Sequence, residues 1–217
     1  MSSCIIDILS SAKVIDTHAH VVLEEIEGSL EDYGPETLFE DNSPIYRIGS
    51  YKLKNVNYRG TAFTDPKIRL DKMNESNIDV QVLTPNPLTY FHFIEEEKAM
   101  NFSILHNNVL AKKVQFSPSR LLGMANLPIQ DPIAARDELY RCIEELNLCG
   151  ASVGTTSLRQ LDDPCYDILY DAFELLGVPL FIHPAPSGID RPLMEESLNK
   201  YCLLYTSDAA DERSSVD

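Results

Sequence analysis

Apolar residues along the chain fall into two alternating rhythms. Short β-rich runs occur at Lys13–Thr17, Asp79–Leu83, Leu121–Asn126, Gly150–Val153 and Val178–Ile182. Stretches with apolar residues at helical spacing lie between them, the sequence sign of βαβ units and a parallel sheet. Asp65-Pro66, Asp131-Pro132 and Asp163-Pro164 mark helix starts: the carboxylate accepts unpaired backbone amides, and proline tolerates the first helical position. In the third helix Ile133, Leu139, Ile143 and Leu146 follow the helical period, which leaves Arg136, Asp137, Glu138 and Glu144 for solvent. The helix within Glu95–Phe116 ends before Ser117-Pro118, because the residue before a proline resists helical geometry. The pattern predicts an α/β fold with these five strands and four helices.

Two regions break the rhythm. Residues 21–64 interpose a long segment between the first strand and its helix, and within it Ile45–Ile48 and Tyr51–Leu53 flank Gly49-Ser50 as a hairpin would. A loop of that length is more often functional than idle. After Asn199 the strand–helix alternation stops, and Ser207 to Asp217 is small, polar and charged, with no face to bury. The expected division is a domain over residues 1–201, carrying the insertion 21–64, and a disordered or non-native tail over 202–217.

Composition narrows the function. A net charge of −16 over 217 residues argues against nucleic acid and anionic membranes as partners, since both are recognised through Lys and Arg. No apolar run approaches the length of a bilayer span, and Cys4-Ile5-Ile6 is cut by Asp7 before it could serve as a signal-peptide core. A cytoplasmic location is the expectation. Cys4, Cys142, Cys149, Cys165 and Cys202 lack C-x-x-C spacing, which suits reduced thiols without assigned chemistry.

Asp16-Thr17-His18-Ala19-His20 puts two imidazoles at i and i+2 on a strand, so both leave the same face. His183 follows the apolar run Val178–Ile182 and also projects from a strand end. Three imidazoles at one mouth match a catalytic zinc site with an open position. An H-x-H pair alone often arises by chance; its place at the end of the first strand, with a further strand-terminal histidine at the fifth, favours metal binding. His92 falls in the loop after the second strand, and His106 inside the second helix reads as a surface or packing residue.

Ile15-Asp16-Thr17-His18-Ala19-His20, Leu127-Pro128-Ile129-Gln130-Asp131 and Phe181-Ile182-His183-Pro184 resemble the markers of the amidohydrolase-related family of the metal-dependent hydrolase superfamily. Within it the likeness is nearest to the 2-amino-3-carboxymuconate 6-semialdehyde decarboxylase group, which includes γ-resorcylate-type decarboxylases. The resemblance runs from about Lys13 to Asn199. It implies a TIM-type (β/α)8 barrel of which about the first five strands are present. It also implies one divalent metal, usually zinc and in some members manganese, with His18, His20 and His183 as ligands. The remaining metal aspartate and an acid/base histidine are expected beyond the chain, so no catalytic group is assigned within it.

Tyr58-Arg59-Gly60 sits where decarboxylases of this group keep an arginine that grips a substrate carboxylate; an ordinary exposed loop arginine explains Arg59 equally well, and Arg47 and Lys54 are weaker candidates. After His183-Pro184 the decarboxylases commonly continue Trp-Asp, whereas this chain has Ala185-Pro186. Tyr90, Phe91 and Phe93 are candidates to replace the lost aromatic wall, or simply packing residues. Residues Leu203 to Glu212 resemble translated sequencing-adapter read-through. The implied function is a metal-dependent carboxy-lyase acting on an unsaturated or aromatic carboxylic acid. The alternatives are a hydrolase of a lactone, amide or ester in the same superfamily, or an inactive fragment. A small carboxylated substrate and, by family likeness, a homodimer are the partners implied.

Overall fold

The structure, a computed structural model, describes residues 3–155 and 159–184. In chain order its elements are α1 (Ser3–Ser11), β1 (Ile15–Val21), β2 (Glu36–Glu40), β3 (Ser43–Ile48), β4 (Tyr51–Lys54), α2 (Pro66–Glu75), β5 (Val80–Pro85), α3 (Glu96–Val114), β6 (Leu121–Asn126), α4 (Pro132–Glu144), β7 (Gly150–Gly154), α5 (Asp167–Leu176) and β8 (Leu180–His183). The five apolar runs become one parallel sheet in the order β1-β5-β6-β7-β8. Each strand is laid beside its predecessor with a helix between, the order of the first five strands of a TIM-type barrel.

Strand alternation sorts the side chains into two layers. Leu83, Leu121, Ala125, Ala151 and Val153 join the large core that includes Phe102 and Leu110 of α3, Leu139 of α4 and Ala172 of α5. Val80, Val82, Leu122, Met124 and Cys149 face the other way and form a smaller cluster with Ile5, while Ile8, Leu9, Ile15 and Phe181 pack against it. The sheet is therefore curled around an apolar plug that α1 covers at the amino-terminal ends of the strands. The curl is strong enough that the rings of His18 and His183, on the two outermost of these strands, lie 4.9 Å apart.

The aspartate–proline pairs cap the starts of helices, with one difference. Asp65 accepts from the amides of Lys67 and Ile68, and Asp131 from those of Ile133 and Ala134. Asp163 instead caps a single 3-10 turn, Pro164–Tyr166, and α5 starts only at Asp167. Gly177, at φ 60°, ends α5 in the left-handed region that a side chain would disfavour.

Several expectations are corrected. The first strand ends at Val21 rather than Thr17, so both histidines of the H-x-H pair lie within it. The helix α1 and the strand β2 were not foreseen; β2 adds to the expected β3–β4 hairpin to make a three-stranded antiparallel sheet. Glu138, placed toward solvent by periodicity, is 1% exposed. Its carboxylate is held by Arg141 and by Asn107 of α3, whose amide also bridges to the backbone of Asn126. His106 is a packing residue, fully buried beside Phe102. Among the described residues no helix is long and apolar enough to cross a membrane. Ala185-Pro186 and the tail over 202–217 lie outside the described residues.

Candidate metal centre

Three strand-borne histidines meet at the carboxyl ends of the strands. His18 and His20 come from β1 and His183 from the last position of β8. One ring nitrogen of each lies within 4.8 Å of the others. The Nε2 atoms of His18 and His20 are 3.0 Å apart, and the ring centroids of His20 and His183 are 4.8 Å apart. Tetrahedral zinc with Zn–N bonds of about 2.0–2.1 Å needs nitrogen–nitrogen edges of roughly 3.3 Å, so the group is close to the required spacing.

Hydrogen bonding selects the nitrogen that two of the rings present, those of His20 and His183. His20 Nδ1 faces the carbonyl oxygen of Pro85 at 3.0 Å and the Thr84 hydroxyl at 3.1 Å. A carbonyl only accepts, so Nδ1 carries the hydrogen and Nε2 keeps its lone pair. The same argument applies to His183, whose Nδ1 donates to the Pro184 carbonyl at 2.5 Å. Burial, followed by the neighbouring His183 and His18 rings, lowers the His20 pKa to about 3, which keeps it neutral. A neutral imidazole with a free Nε2 and an oriented Nδ1 is the form a divalent metal binds. The donor set fits the expected ion.

The surroundings are graded from open to closed. His18 is exposed, His20 half-buried and His183 buried. The Phe181 ring lies 5.0 Å from that of His18, and the Tyr90 ring 6.4 Å from that of His183. Tyr90 stacks on His92 and bonds through its hydroxyl to Ser152 Oγ at 2.6 Å; burial pushes its phenol well above the ordinary range. Of the three aromatic wall candidates Tyr90 alone is placed beside the histidines by these ring contacts. Phe91 packs on Phe102 at 4.8 Å and Phe93 faces Tyr33 at 6.1 Å.

Two of the three candidate cations are engaged elsewhere and the third is exposed. Arg59 is half exposed and pairs with Glu27, with Glu24 at 3.8 Å, both on the segment that leaves β1. Glu27 raises its pKa. Arg47 binds Glu36 and the carbonyls of Asp32 and Gly49 inside the insertion, and Lys54 is exposed on β4. Sequence reasoning missed Thr84, which orients His20. Its signal was a lone hydroxyl in register with His20.

Comparison with known proteins shows the family. The amidohydrolase family model matches residues 15–211, and the chain belongs to that family. It is 33% identical over 121 residues to 2-amino-3-carboxymuconate-6-semialdehyde decarboxylase of Dictyostelium discoideum, covering 55% of this chain and 34% of that protein. It is 33% identical over 171 residues to γ-resorcylate decarboxylase of Rhizobium sp., covering 75% of this chain and 49% of that protein. A solved 2,6-dihydroxybenzoate decarboxylase, complexed with 2,6-dihydroxybenzoate, superposes with a TM-score of 0.55 at 30% identity over 65% of this chain and 45% of that one. The chain thus spans between a third and a half of these relatives.

Proposed function

We propose that this chain forms the metal-binding part of a metal-dependent carboxy-lyase that decarboxylates a small aromatic or unsaturated carboxylic acid. The observation that carries the reading is the convergence of one ring nitrogen each from His18, His20 and His183, with Nδ1 of His20 turned to the Pro85 carbonyl, in a chain whose relatives are named decarboxylases. Zinc is the ion we favour, because three imidazole ligands and an open position suit it; manganese is the second choice. A bound divalent cation supplies Lewis-acid polarisation of substrate oxygens.

The residues of the chain then divide the remaining work. Thr84 and the Pro85 carbonyl hold the His20 ring in one tautomer. Phe181, partly exposed beside His18, supplies aromatic surface against which a planar acid can lie, and the buried Tyr90 backs the His183 side. Arg59 is the proposed carboxylate grip: its guanidinium already binds Glu27, and the longer 3.8 Å approach to Glu24 is the contact a substrate carboxylate would replace. The metal aspartate and the acid/base histidine implied by the family resemblance have no counterpart assigned in these 217 residues. The isolated chain is therefore proposed to bind metal without turnover.

The test is product analysis with the gene product that carries this sequence, loaded with zinc or manganese and given 2,6-dihydroxybenzoate or an aminocarboxymuconate semialdehyde. Metal-dependent release of carbon dioxide is expected. Metal-dependent opening of lactones, amides or esters without carbon dioxide would assign the hydrolase alternative instead.

A further inference from the structure

The H-x-H pair straddles the end of an interruption in its own ladder, with His18 inside it and His20 just beyond. β1 pairs with β5 at Ile15 and Asp16, shifts register, and resumes at Ala19, His20 and Val21. An interrupted ladder bends the strand and re-aims its side chains, and it also removes the hydrogen bonds that would fix them. The ladder therefore fixes His20, opposite Thr84, but not His18, and something else must hold His18 at its 3.0 Å approach to His20.

A buried polar chain spans that interruption. Arg69, on α2 and 7% exposed, donates from Nη2 to the backbone carbonyl of His20 at 2.7 Å and from Nη1 to Gln81 Oε1 at 2.6 Å. Gln81, on β5, donates from Nε2 to Asp16 Oδ2 at 2.7 Å. Asp16 Oδ1 accepts from the amide of His18 at 3.1 Å. The amide orientation of Gln81 follows from chemistry: arginine only donates, so Oε1 faces Arg69, and the carboxylate only accepts from Nε2. The relay starts on one side of the register shift and ends on the other, tying together β1, β5 and α2.

We propose that Arg69, Gln81 and Asp16 form a positioning clamp that locks the irregular part of β1 and so sets the geometry of the His18–His20 pair toward a divalent metal. The inference rests on the metal reading above. A buried guanidinium costs several kcal/mol to desolvate, roughly, so simple packing would be better served by an apolar side chain. Its planar fork can hold two acceptors at a fixed angle, which the single point charge of lysine cannot. Partners that orient metal ligands typically govern metal affinity by about 10–100-fold.

Arg120 provides a matched control. It donates to the carbonyls of Asp79 and Ile78 at 2.7 Å each and to Asn74 Oδ1 at 2.9 Å, at the amino-terminal end of β5. Arg120→Lys therefore removes a comparable fork remote from the histidines.

The experiment is titration of the full chain with Co(II) alone, following the visible ligand-field bands, alongside thermal unfolding. Arg69→Lys is expected to weaken Co(II) binding by about 10–100-fold and to shift the bands, whereas Arg120→Lys lowers stability comparably and leaves both unchanged. If Arg69→Lys does not fold, Gln81→Met, which removes the Gln81 bonds to both Arg69 and Asp16 and leaves Arg69 on the His20 carbonyl, replaces it with the same expected direction. Wild-type affinity and spectrum in the clamp variant, or equal loss of affinity in Arg120→Lys, overturns the clamp alone. If the unaltered chain binds no Co(II), the metal reading fails and the clamp falls with it.

Discussion

His18 and His20 approach each other through their Nε2 atoms at 3.0 Å, while Nδ1 of His20 is turned away to the Pro85 carbonyl. With its hydrogen on Nδ1, His20 keeps a lone pair on Nε2, which accepts from His18 Nε2 when that ring carries its hydrogen there and is the pair a metal ion would take. Replacing any one of His18, His20 or His183 with alanine should weaken zinc binding by more than about 100-fold, beyond the range of residues that only orient ligands. Isothermal titration of each variant checks this. A single variant that keeps full affinity would remove that residue from the ligand set.

Much of this centre was legible in the sequence because strand alternation is strict. The i, i+2 spacing of His18 and His20 already fixes one shared face, and the apolar run before His183 fixes its place at a strand end. The curl that brings β1 and β8 together was legible only through the family resemblance, since alternation says nothing of sheet curvature. The Arg69–Gln81–Asp16 relay was hidden, because it depends on a register shift that no period reveals. Glu138 was misplaced for a related reason: helical period marks a face, but α3 packs against that face and offers Asn107 as partner. Phe91 and Phe93 follow the chain neighbour of Tyr90 into packing roles, which composition could not separate from a substrate wall.

The β7–β8 pairing that carries His183 should be unusually intolerant of a methyl group. A Cβ on Gly150 would lie 2.4 Å from the Pro179 carbonyl oxygen, a backbone atom with little freedom to yield. Gly150→Ala is expected to destabilise the fold by about 1–3 kcal/mol through overpacking. It should also weaken metal binding, because relief of the clash moves the strand leading to His183. Urea unfolding and metal titration of the same variant check the two effects together.

Stability should fall as the solution is acidified from neutral. Burial lowers the His106 pKa to about 4, a loss only partly offset by its contact with Asn107. The unfolded chain takes up the proton near the ordinary value of 6.5 while the folded chain does not, so stability is retained above 6.5 and lost as pH drops toward 4. The contribution is up to ~3 kcal/mol. Urea unfolding of the metal-free chain at several pH values measures it; His106→Leu should reduce the dependence over that window and leave the part due to His20, whose pKa burial also lowers.

The Asn107 bridge should carry substantial stability without touching metal affinity. Its amide satisfies buried Glu138 at 2.7 Å and the Asn126 backbone at 2.9 and 2.8 Å. Asn107→Ala strands these groups, and a loss of about 3 kcal/mol is expected. A shift in the urea midpoint with unchanged zinc affinity is the expected pair of results.

Arg59→Ala in the gene product that carries this sequence should raise KM for a carboxylated substrate by about 10-fold, the loss of roughly one charge-assisted contact. Steady-state kinetics across a substrate series checks it. Unchanged KM would make Arg59 an insertion-stabilising residue that serves only Glu24 and Glu27.

The central claim is that His18, His20 and His183 hold one divalent ion. X-ray absorption spectroscopy of the zinc-loaded chain tests it most directly, with the three alanine variants measured beside it. One equivalent of zinc, three imidazole nitrogens at about 2.0–2.1 Å, and loss of that imidazole signature in each variant are the predicted result. Zinc that shows no imidazole scattering, or the same scattering after His18, His20 or His183 is removed, would contradict it.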